Sequence, residues 1–206
     1  MVKNKAKIAV LVSGGGTNLQ ALIDAENKGV INSGKICLVI SNNASSFALE
    51  RARKADIDTK VVLKKDCGSQ DAFEEIIIKT LESNEIDLIV LAGFMSILSE
   101  KFTSRYQKRI INIHPSLIPS FCGQGFYGLK VHEAALEKGV KVTGATVHFV
   151  NEIPDGGEII MQKAVNIRDN DTPESLQKRV MRLAEWKILP KAVEKVSFEI
   201  IKNGRK

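Results

Sequence analysis

The chain has 206 residues, of which 44% are hydrophobic and 26% charged, with a formal net charge of +6. That composition is typical of one globular domain with a substantial core, and no apolar run approaches the ~18 residues of a membrane-spanning helix. The positive charge is spread along the chain and is densest at the two termini, which favours anionic small molecules over nucleic acid as partners.

Three cysteines, Cys37, Cys67 and Cys122, lie far apart and have no partner at metal-ligand spacing. An odd, scattered set is typical of a reducing compartment, and it predicts neither disulfides nor a metal site. The apolar run Ile8–Val12 is too short for the apolar region of a signal peptide, and it leads into glycines. We therefore expect a cytoplasmic protein without membrane contact.

Short apolar runs alternate with helical patterns over the first half of the chain. The predicted strands are Lys7–Val12, Ile36–Ile40, Lys60–Leu63, Leu88–Leu91 and Ile110–Ile113. The predicted helices between them are Thr17–Lys28, Ser46–Ala55, Gln70–Asn84 and Ser99–Tyr106. Because apolar strands that alternate with helices are typical of a parallel sheet covered on both faces, the pattern predicts an α/β, Rossmann-like fold with a twisted, mostly parallel sheet.

The second half changes in character. A helix is predicted over Leu129–Lys138, and the alternating segments Lys141–Val150 and Glu158–Arg168 are predicted to be strands that extend the sheet. A final helix, Pro173–Val196, begins after the N-cap residue Thr172. Since no repeat or linker divides the chain, residues 1–206 are predicted to form a single domain, with a core over about residues 7–195 and basic termini.

The segment Val12–Ile23, VSGGGTNLQALI, follows the first strand and opens the first helix. Backbone N–H groups of a glycine loop at a helix N-terminus form a ready anion site. The loop lacks the lysine of nucleoside-triphosphatase loops, and Leu19 stands where a dinucleotide fingerprint needs its third glycine. Two interpretations remain, namely a tight turn alone and a site for a single phosphate, with Gly16, Thr17 and Asn18 as donors.

The stretch Ile110–Leu117, IINIHPSL, places an amide and an imidazole two residues apart on a predicted strand. Residues i and i+2 of a strand share a face, so Asn112 and His114 are expected to point the same way. Two hydrogen-bonding groups at the end of a parallel strand are suited to a ligand in the cleft at that edge of the sheet.

The segment Asn151–Ile159, NEIPDGGEI, joins the two late strands, and Asp-Gly-Gly is foremost a turn signal. Its functional interpretation is that Asp155 reaches a histidine, raises its pKa and fixes its orientation. His114, at a strand end before a proline, is the histidine placed for chemistry. His132, in a helical pattern, and His148, in a strand, are expected to be structural or surface residues.

The motifs SGGGTNLQALID, LAGFMSILS, INIHPSLIPSF and GATVHFVNEIPDGGEII together resemble the glycinamide ribonucleotide formyltransferases, folate-dependent enzymes of purine synthesis. The resemblance implies transfer of the formyl group of 10-formyltetrahydrofolate to the amine of phosphoribosylglycinamide by a metal-free monomer or homodimer. Two relatives, methionyl-tRNA formyltransferase and formyltetrahydrofolate hydrolase, normally carry a further domain, for which 206 residues leave no room.

Carried over position by position, the resemblance implies that the ribose phosphate is held by Gly15, Gly16, Thr17 and Asn18, and that the ribose end is contacted by Glu185. The implied catalytic residues are Asn112, His114 and Asp155. The implied folate-binding residues are Gln70, Met95, Ser96, Ile97, Leu98, Asn112, Asn151, Glu152, Ile153, Pro154 and Asp155. Gln70 and Ser96 stand where some relatives carry arginines that help to bind the folate tail.

The mechanism that these residues would support begins with attack of the neutral amine on the formyl carbon. Asn112 and His114 would donate hydrogen bonds to the oxyanion of the tetrahedral intermediate, and Asp155 would favour protonated His114. Either His114 or a water held by Asp155 would then move the proton from the attacking to the leaving nitrogen.

Two rival functions are open at this point. Hydrolysis of the same folate, with water in place of the amine, predicts turnover without the ribonucleotide. A non-catalytic nucleotide- or folate-binding protein predicts that His114 is dispensable. A dehydrogenase is disfavoured because the glycine fingerprint is broken and no acidic residue ends the second strand.

Overall fold

The structure, a computed structural model, describes residues 5–204 and contains a sheet of seven strands over that range. The strands are β1 (Ala6–Val12), β2 (Gly34–Ser41), β3 (Asp58–Val61), β4 (Leu88–Leu91), β5 (Ile110–His114), β6 (Val142–Phe149) and β7 (Ile159–Asn166). Their order across the sheet is β3-β2-β1-β4-β5-β6-β7. The outermost residues of the predicted basic termini, 1–4 and 205–206, lie outside the described residues.

Strands β1 to β5 pair in parallel, whereas β5 pairs with β6, and β6 with β7, in antiparallel fashion. The predicted α/β class, the mostly parallel sheet and its extension by two late strands are therefore confirmed. The reversal between β5 and β6 brings a hairpin next to the carboxyl end of the last parallel strand.

Helices cover both faces of the sheet. They are α1 (Thr17–Asn27), α2 (Phe47–Lys54), α3 (Gln70–Ser83), α4 (Glu100–Arg105), α5 (Leu129–Lys138), α6 (Pro173–Val180) and α7 (Trp186–Lys202). Side chains of α1, α2, α6 and α7 pack against one face, where the even-numbered residues of β1 point. Side chains of α3 and α4 pack against the other face, on the odd-numbered residues of β1. This division follows from the period-two alternation of side chains along a strand.

Two predicted elements differ from the structure. The third strand was expected over Lys60–Leu63, but β3 lies two residues earlier, because its pairing with β2 starts where Asp58 faces Leu38. The last helix was expected to be continuous over Pro173–Val196. Instead a π-helical turn, Met181–Glu185, separates α6 from α7.

The predicted start of that last helical region is confirmed in detail. The Thr172 side chain accepts a hydrogen bond from the backbone N–H of Ser175, and the Ser175 side chain accepts one from the backbone N–H of Thr172. This reciprocal capping box satisfies N–H groups that the first turn of a helix leaves without partners. Across residues 5–204, none of the helices is long and apolar enough to span a membrane.

Candidate active site

The carboxyl ends of β1, β4 and β5 meet at one edge of the sheet. The chain leaves β1 for a helix on one face and leaves β4 for a helix on the other, which makes this edge a topological switch point. Ligands of open α/β sheets bind in the crevice at such a point. Ser13 ties two of these strand ends together, because its N–H donates to the Gly93 carbonyl (3.1 Å) and its Oγ accepts from the Met95 N–H (2.8 Å).

The predicted pair on β5 is extended by a residue from the neighbouring strand. In the antiparallel register, Asn112 lies opposite His148 and His114 lies opposite Thr146. Opposed residues of an antiparallel pair point to the same face, so the His148 ring comes beside the amide of Asn112. The Asn112 Nδ2 lies 3.2 Å from His148 Nε2, and both histidines are buried.

Asp155 reaches both histidines from the loop between β6 and β7. Its Oδ2 lies 3.4 Å from His114 Nδ1, and its Oδ1 lies 3.4 Å from His148 Nε2. Oδ2 also accepts a 2.9 Å hydrogen bond from the Gly123 N–H. The structure thus brings together the three predicted catalytic residues, because Asn112 and His114 both lie close to the carboxylate of Asp155.

The local sequence explains why the carboxylate turns inward. Asp155 has a left-handed backbone (φ 57°), which aspartate tolerates better than most residues. Two residues on, a Cβ at Gly157 would lie 1.7 Å from the carbonyl oxygen of Phe149, so only glycine fits there. The Asp-Gly-Gly signal therefore forms a turn and at the same time positions a functional side chain.

Backbone carbonyls determine which nitrogen of each histidine is free. His114 Nε2 lies 2.8 Å from the Phe121 carbonyl, and His148 Nδ1 lies 2.7 Å from the Phe149 carbonyl. A carbonyl can only accept, so these nitrogens must carry protons. The other two ring nitrogens, His114 Nδ1 and His148 Nε2, lie on the side of Asp155. They face different oxygens of Asp155.

Two opposing influences act on the pKa of His114. Burial lowers the pKa of His114, and although the Asp155 carboxylate raises it, burial prevails. The expected effect of Asp155 on His114 is therefore present, and burial opposes it. Burial raises the pKa of Asp155, but the hydrogen bond with His148, the His114 ring and the Gly123 N–H together hold it below its ordinary value.

His148, which was expected to be a structural or surface residue, contacts both Asn112 and Asp155. The available signal was the register of β5 against β6, which places a polar residue opposite each member of the Asn-x-His pair. His132, in contrast, is fully buried in α5, and neither ring nitrogen finds a hydrogen-bond partner within residues 5–204. Burial, followed by the proximity of His114, lowers the pKa of His132 to about 4.

The glycine loop has its carbonyls occupied and its helix start uncapped. The Gly14 carbonyl accepts from the Ser46 hydroxyl (2.7 Å), and the Gly15 carbonyl accepts from the Arg51 guanidinium (2.9 Å). Gly16 is the N-cap of α1 with φ 70°, and no described side chain caps the helix there. The first N–H groups of α1 are therefore available to an anion, which favours the phosphate interpretation over the simple turn.

The π-helical turn brings Glu185 to the start of α1. Asn18 Nδ2 donates a 2.6 Å hydrogen bond to Glu185 Oε2, and Thr17 Oγ1 lies 3.6 Å from the sulfur of Met181. Glu185 is buried, and this burial raises its pKa from 4.5 to about 7, against the effect of Asn18. All five residues predicted for ribonucleotide binding, Gly15, Gly16, Thr17, Asn18 and Glu185, thus form one contiguous group.

Most of the predicted folate-binding residues lie on the segments 95–98 and 151–155, which flank the strand ends, whereas Gln70 begins α3 and Asn112 lies on β5. Met95, Ile97 and Ile153 are 53%, 65% and 57% exposed, which is unusual for large apolar side chains and is typical of a ligand surface. Gln70 and Ser96 are engaged within the protein, because Gln70 donates to the Ile97 carbonyl (3.1 Å) and Ser96 accepts from Asn42 (2.9 Å). The remaining predicted residues of the two segments are Leu98, Asn151, Glu152 and Pro154.

The fold and the site define a formyl transferase. A family model described as formyl transferase matches residues 6–193, and the chain therefore belongs to the formyl transferase family. Over 188 residues it is 45% identical to the phosphoribosylglycinamide formyltransferase of Haemophilus influenzae, a match that covers 91% of this chain and 85% of that protein. No cluster of three or more metal-ligating side chains occurs in residues 5–204.

A longer relative and a crystal structure support membership of the same family. The chain is 46% identical over 202 residues to the human trifunctional purine biosynthetic protein adenosine-3, covering 98% of this chain but only 19% of that protein's length. The crystal structure of glycinamide ribonucleotide transformylase 1 from Symbiobacterium toebii superposes with a TM-score of 0.88 at 39% identity, covering 95% of this chain and 89% of that one.

We expect Gly16→Ala to weaken phosphate binding and to destabilise the fold. An added Cβ would lie 2.5 Å from the Cβ of Ala48, and the residue would keep an unfavourable φ of 70°. Gly14→Ala is the matched control, since its Cβ would meet nothing within 4 Å. Urea unfolding and the Kd for inorganic phosphate measure the two effects. Equal behaviour of the two variants would contradict the tight approach of the loop to α2.

Glu185 is expected to make the protein less stable as pH rises. Its pKa is about 7 in the folded protein against an ordinary value of 4.5, so its contribution to stability is fully present below about pH 4.5 and is lost as the pH rises through about 7. The loss is on the order of 3 kcal/mol. Glu185→Gln should remove this part of the pH dependence, measured as the free energy of unfolding between pH 4 and 8. An unchanged profile in the variant would show that Glu185 ionises normally.

Proposed function

We propose that the protein transfers the formyl group of 10-formyltetrahydrofolate to the amine of phosphoribosylglycinamide. The observation that carries this proposal is the group formed by Asn112, His114, His148 and Asp155, which stands between an open helix N-terminus and two exposed apolar segments. Membership of the formyl transferase family and the names of the relatives support the same reaction. The ribonucleotide would bind at Gly15–Asn18 and Glu185, and the folate at the segments 95–98 and 151–155.

The reaction needs an oxyanion donor and a group that moves one proton. The amine attacks the formyl carbon, so a C–N bond forms and the carbonyl oxygen becomes negative. Asn112 donates an Nδ2–H to that oxygen, giving up its longer 3.4 Å contact with Asp155. Loss of one such donor typically costs about 10²- to 10³-fold in rate.

His114 carries the proton between the two nitrogens. Because its Nε2–H is held by Phe121, Nδ1 accepts the proton that the attacking amine releases. Asp155 stabilises the imidazolium that forms. The proton then passes from Nδ1 to the leaving folate nitrogen as the old C–N bond breaks, so that tetrahydrofolate departs neutral at that nitrogen. This role requires a His114 that is neutral before the amine attacks, which is the form that burial favours.

The physiological setting is also part of the proposal. The three cysteines are free and only partly buried, which is compatible with the reducing cytoplasm. The partners are small anionic molecules and tetrahydrofolates rather than nucleic acid or a membrane, and the protein works as a monomer or a homodimer. Hydrolysis of the formyl folate is less well supported, because a hydrolase has no use for the open N-terminus of α1 beside Glu185.

A turnover assay tests this function. We expect 10-formyltetrahydrofolate to be consumed only when phosphoribosylglycinamide is present, and His114→Ala to lower kcat at least about 10²-fold through loss of the proton carrier. Glu133→Ala, on the exposed face of α5, is the matched control and should keep wild-type activity. Turnover without the ribonucleotide would indicate a hydrolase. Binding of both ligands without turnover would leave a binding protein.

The charge state of His114 is tested separately by NMR titration of its ring. The midpoint should lie below the ordinary value of about 6.5, because burial disfavours the charged form. Asp155→Asn should lower the midpoint further, since the carboxylate is the group that favours protonation. His114→Gln assigns the resonance. A midpoint above about 6.5 in the wild type would restore His114 as a protonated donor to the oxyanion.

A further inference from the structure

Glu74 is a carboxylate in the interior, only 3% exposed, on the face of α3 that packs against the sheet. A buried carboxylate is costly unless hydrogen-bond donors satisfy it. Its donors are neutral groups from two residues. Oε1 accepts from the Ser99 N–H (2.7 Å) and from Gln70 Nε2 (2.5 Å), and Oε2 accepts from the Ser99 hydroxyl.

Both partners of Glu74 hold the end of one exposed segment. Ser99 directly follows residues 95–98 and is the N-cap of α4, where its Oγ accepts from the Phe102 N–H (3.2 Å). Gln70 uses its amide nitrogen twice, donating to Glu74 and to the Ile97 carbonyl. Because a carboxylate accepts only, Glu74 fixes which end of the Gln70 amide faces inward. The carboxylate therefore acts on Ile97 and Ser99 together.

The segment that Glu74 holds carries apolar side chains in an exposed position. Met95 and Ile97 are more than half exposed, and their backbone has no helix or strand to keep it in place. At the other end of the segment, Ser13 holds the Met95 N–H and Asn42 holds the Ser96 hydroxyl. Hydrogen bonds from the loops after β1 and β2 and from α3 thus hold this short irregular segment in place. Such bracing is expected where a ligand must meet a preformed surface.

We propose that Glu74 is a positioning residue for the formyl donor. It acts through Ser99 and Gln70 to keep residues 95–98 in the conformation that receives the folate ring, and it does not touch the reacting atoms. This inference rests on the proposed function, in which residues 95–98 line the folate site. The ribonucleotide side of the cleft is built on other contacts, at α1 and the π-helical turn.

Glu74→Leu tests the proposal, because leucine fills the buried volume but accepts no hydrogen bond. The KM for 10-formyltetrahydrofolate should rise about tenfold, the range expected when hydrogen bonds to a charged group are lost. The KM for phosphoribosylglycinamide and kcat should change by less than about twofold, since those contacts are untouched. Glu74→Gln should restore the donor KM, because its amide oxygen can accept from the Ser99 N–H while its NH₂ group donates to the Ser99 hydroxyl.

The matched control is Glu75→Leu, which removes the neighbouring carboxylate on the solvent side of α3, where it pairs with Lys79 at 3.6 Å. It should leave both KM values unchanged. If Glu74→Leu does not fold, Ser99→Ala removes one of the same contacts and should raise the donor KM in the same selective way. A role confined to capping α4 predicts a lower Tm with both KM values unchanged, and that result would overturn the proposal, as would an equal rise in both.

The proposed function and this inference fail in different ways. If the wild type binds tetrahydrofolate without turnover, the proposed reaction is wrong, and the calorimetric Kd for tetrahydrofolate then replaces the KM in the same comparison. A Kd that Glu74→Leu raises about tenfold and Glu74→Gln leaves unchanged still supports the positioning role. A Kd that is the same in all variants overturns it.

Discussion

The antiparallel pairing of β5 with β6 is the constraint on which the rest of the site depends. It sets Asn112 opposite His148, and the short connection to β7 then brings Asp155 back over both histidines. A parallel strand in this place would need a crossover that carries the chain to the opposite end of the sheet. Because the chain reverses direction after five parallel strands, one hairpin adds His148 and Asp155 to the side chains that β5 presents.

The same arrangement suits the proton transfer of the proposed reaction. Each histidine gives one N–H to a backbone carbonyl, which leaves one nitrogen of each ring facing the carboxylate. Burial pushes His114 towards its neutral form, and Asp155 opposes that tendency. The balance keeps the imidazole free to accept a proton without making the imidazolium too costly. A group that must both take and give a proton needs this intermediate condition.

The two proposed substrate sites are built by different means. On the ribonucleotide side, main-chain N–H groups at the start of α1 stand beside Glu185, which a π-helical turn carries to its position. Such turns are often found at functional sites, because they displace one side chain without ending the helix. On the folate side, an irregular segment is held by Ser13, Asn42 and the Glu74 group. Ser13 belongs to the loop of the first site and contacts the second, so the two share a physical connection.

The sequence by itself determined the fold class, the order of most elements, the glycine loop and the common face of Asn112 and His114, because these follow from local periodicity and from glycine placement. Only the tertiary structure decided that His148 joins the site, since cross-strand register is not a local property. It also decided the π-helical turn before α7 and the lowered pKa of His114, because burial depends on the whole packed chain. Glu74 lies in an ordinary helical pattern, and its role becomes visible only when Ser99, 25 residues further along the chain, is found against it.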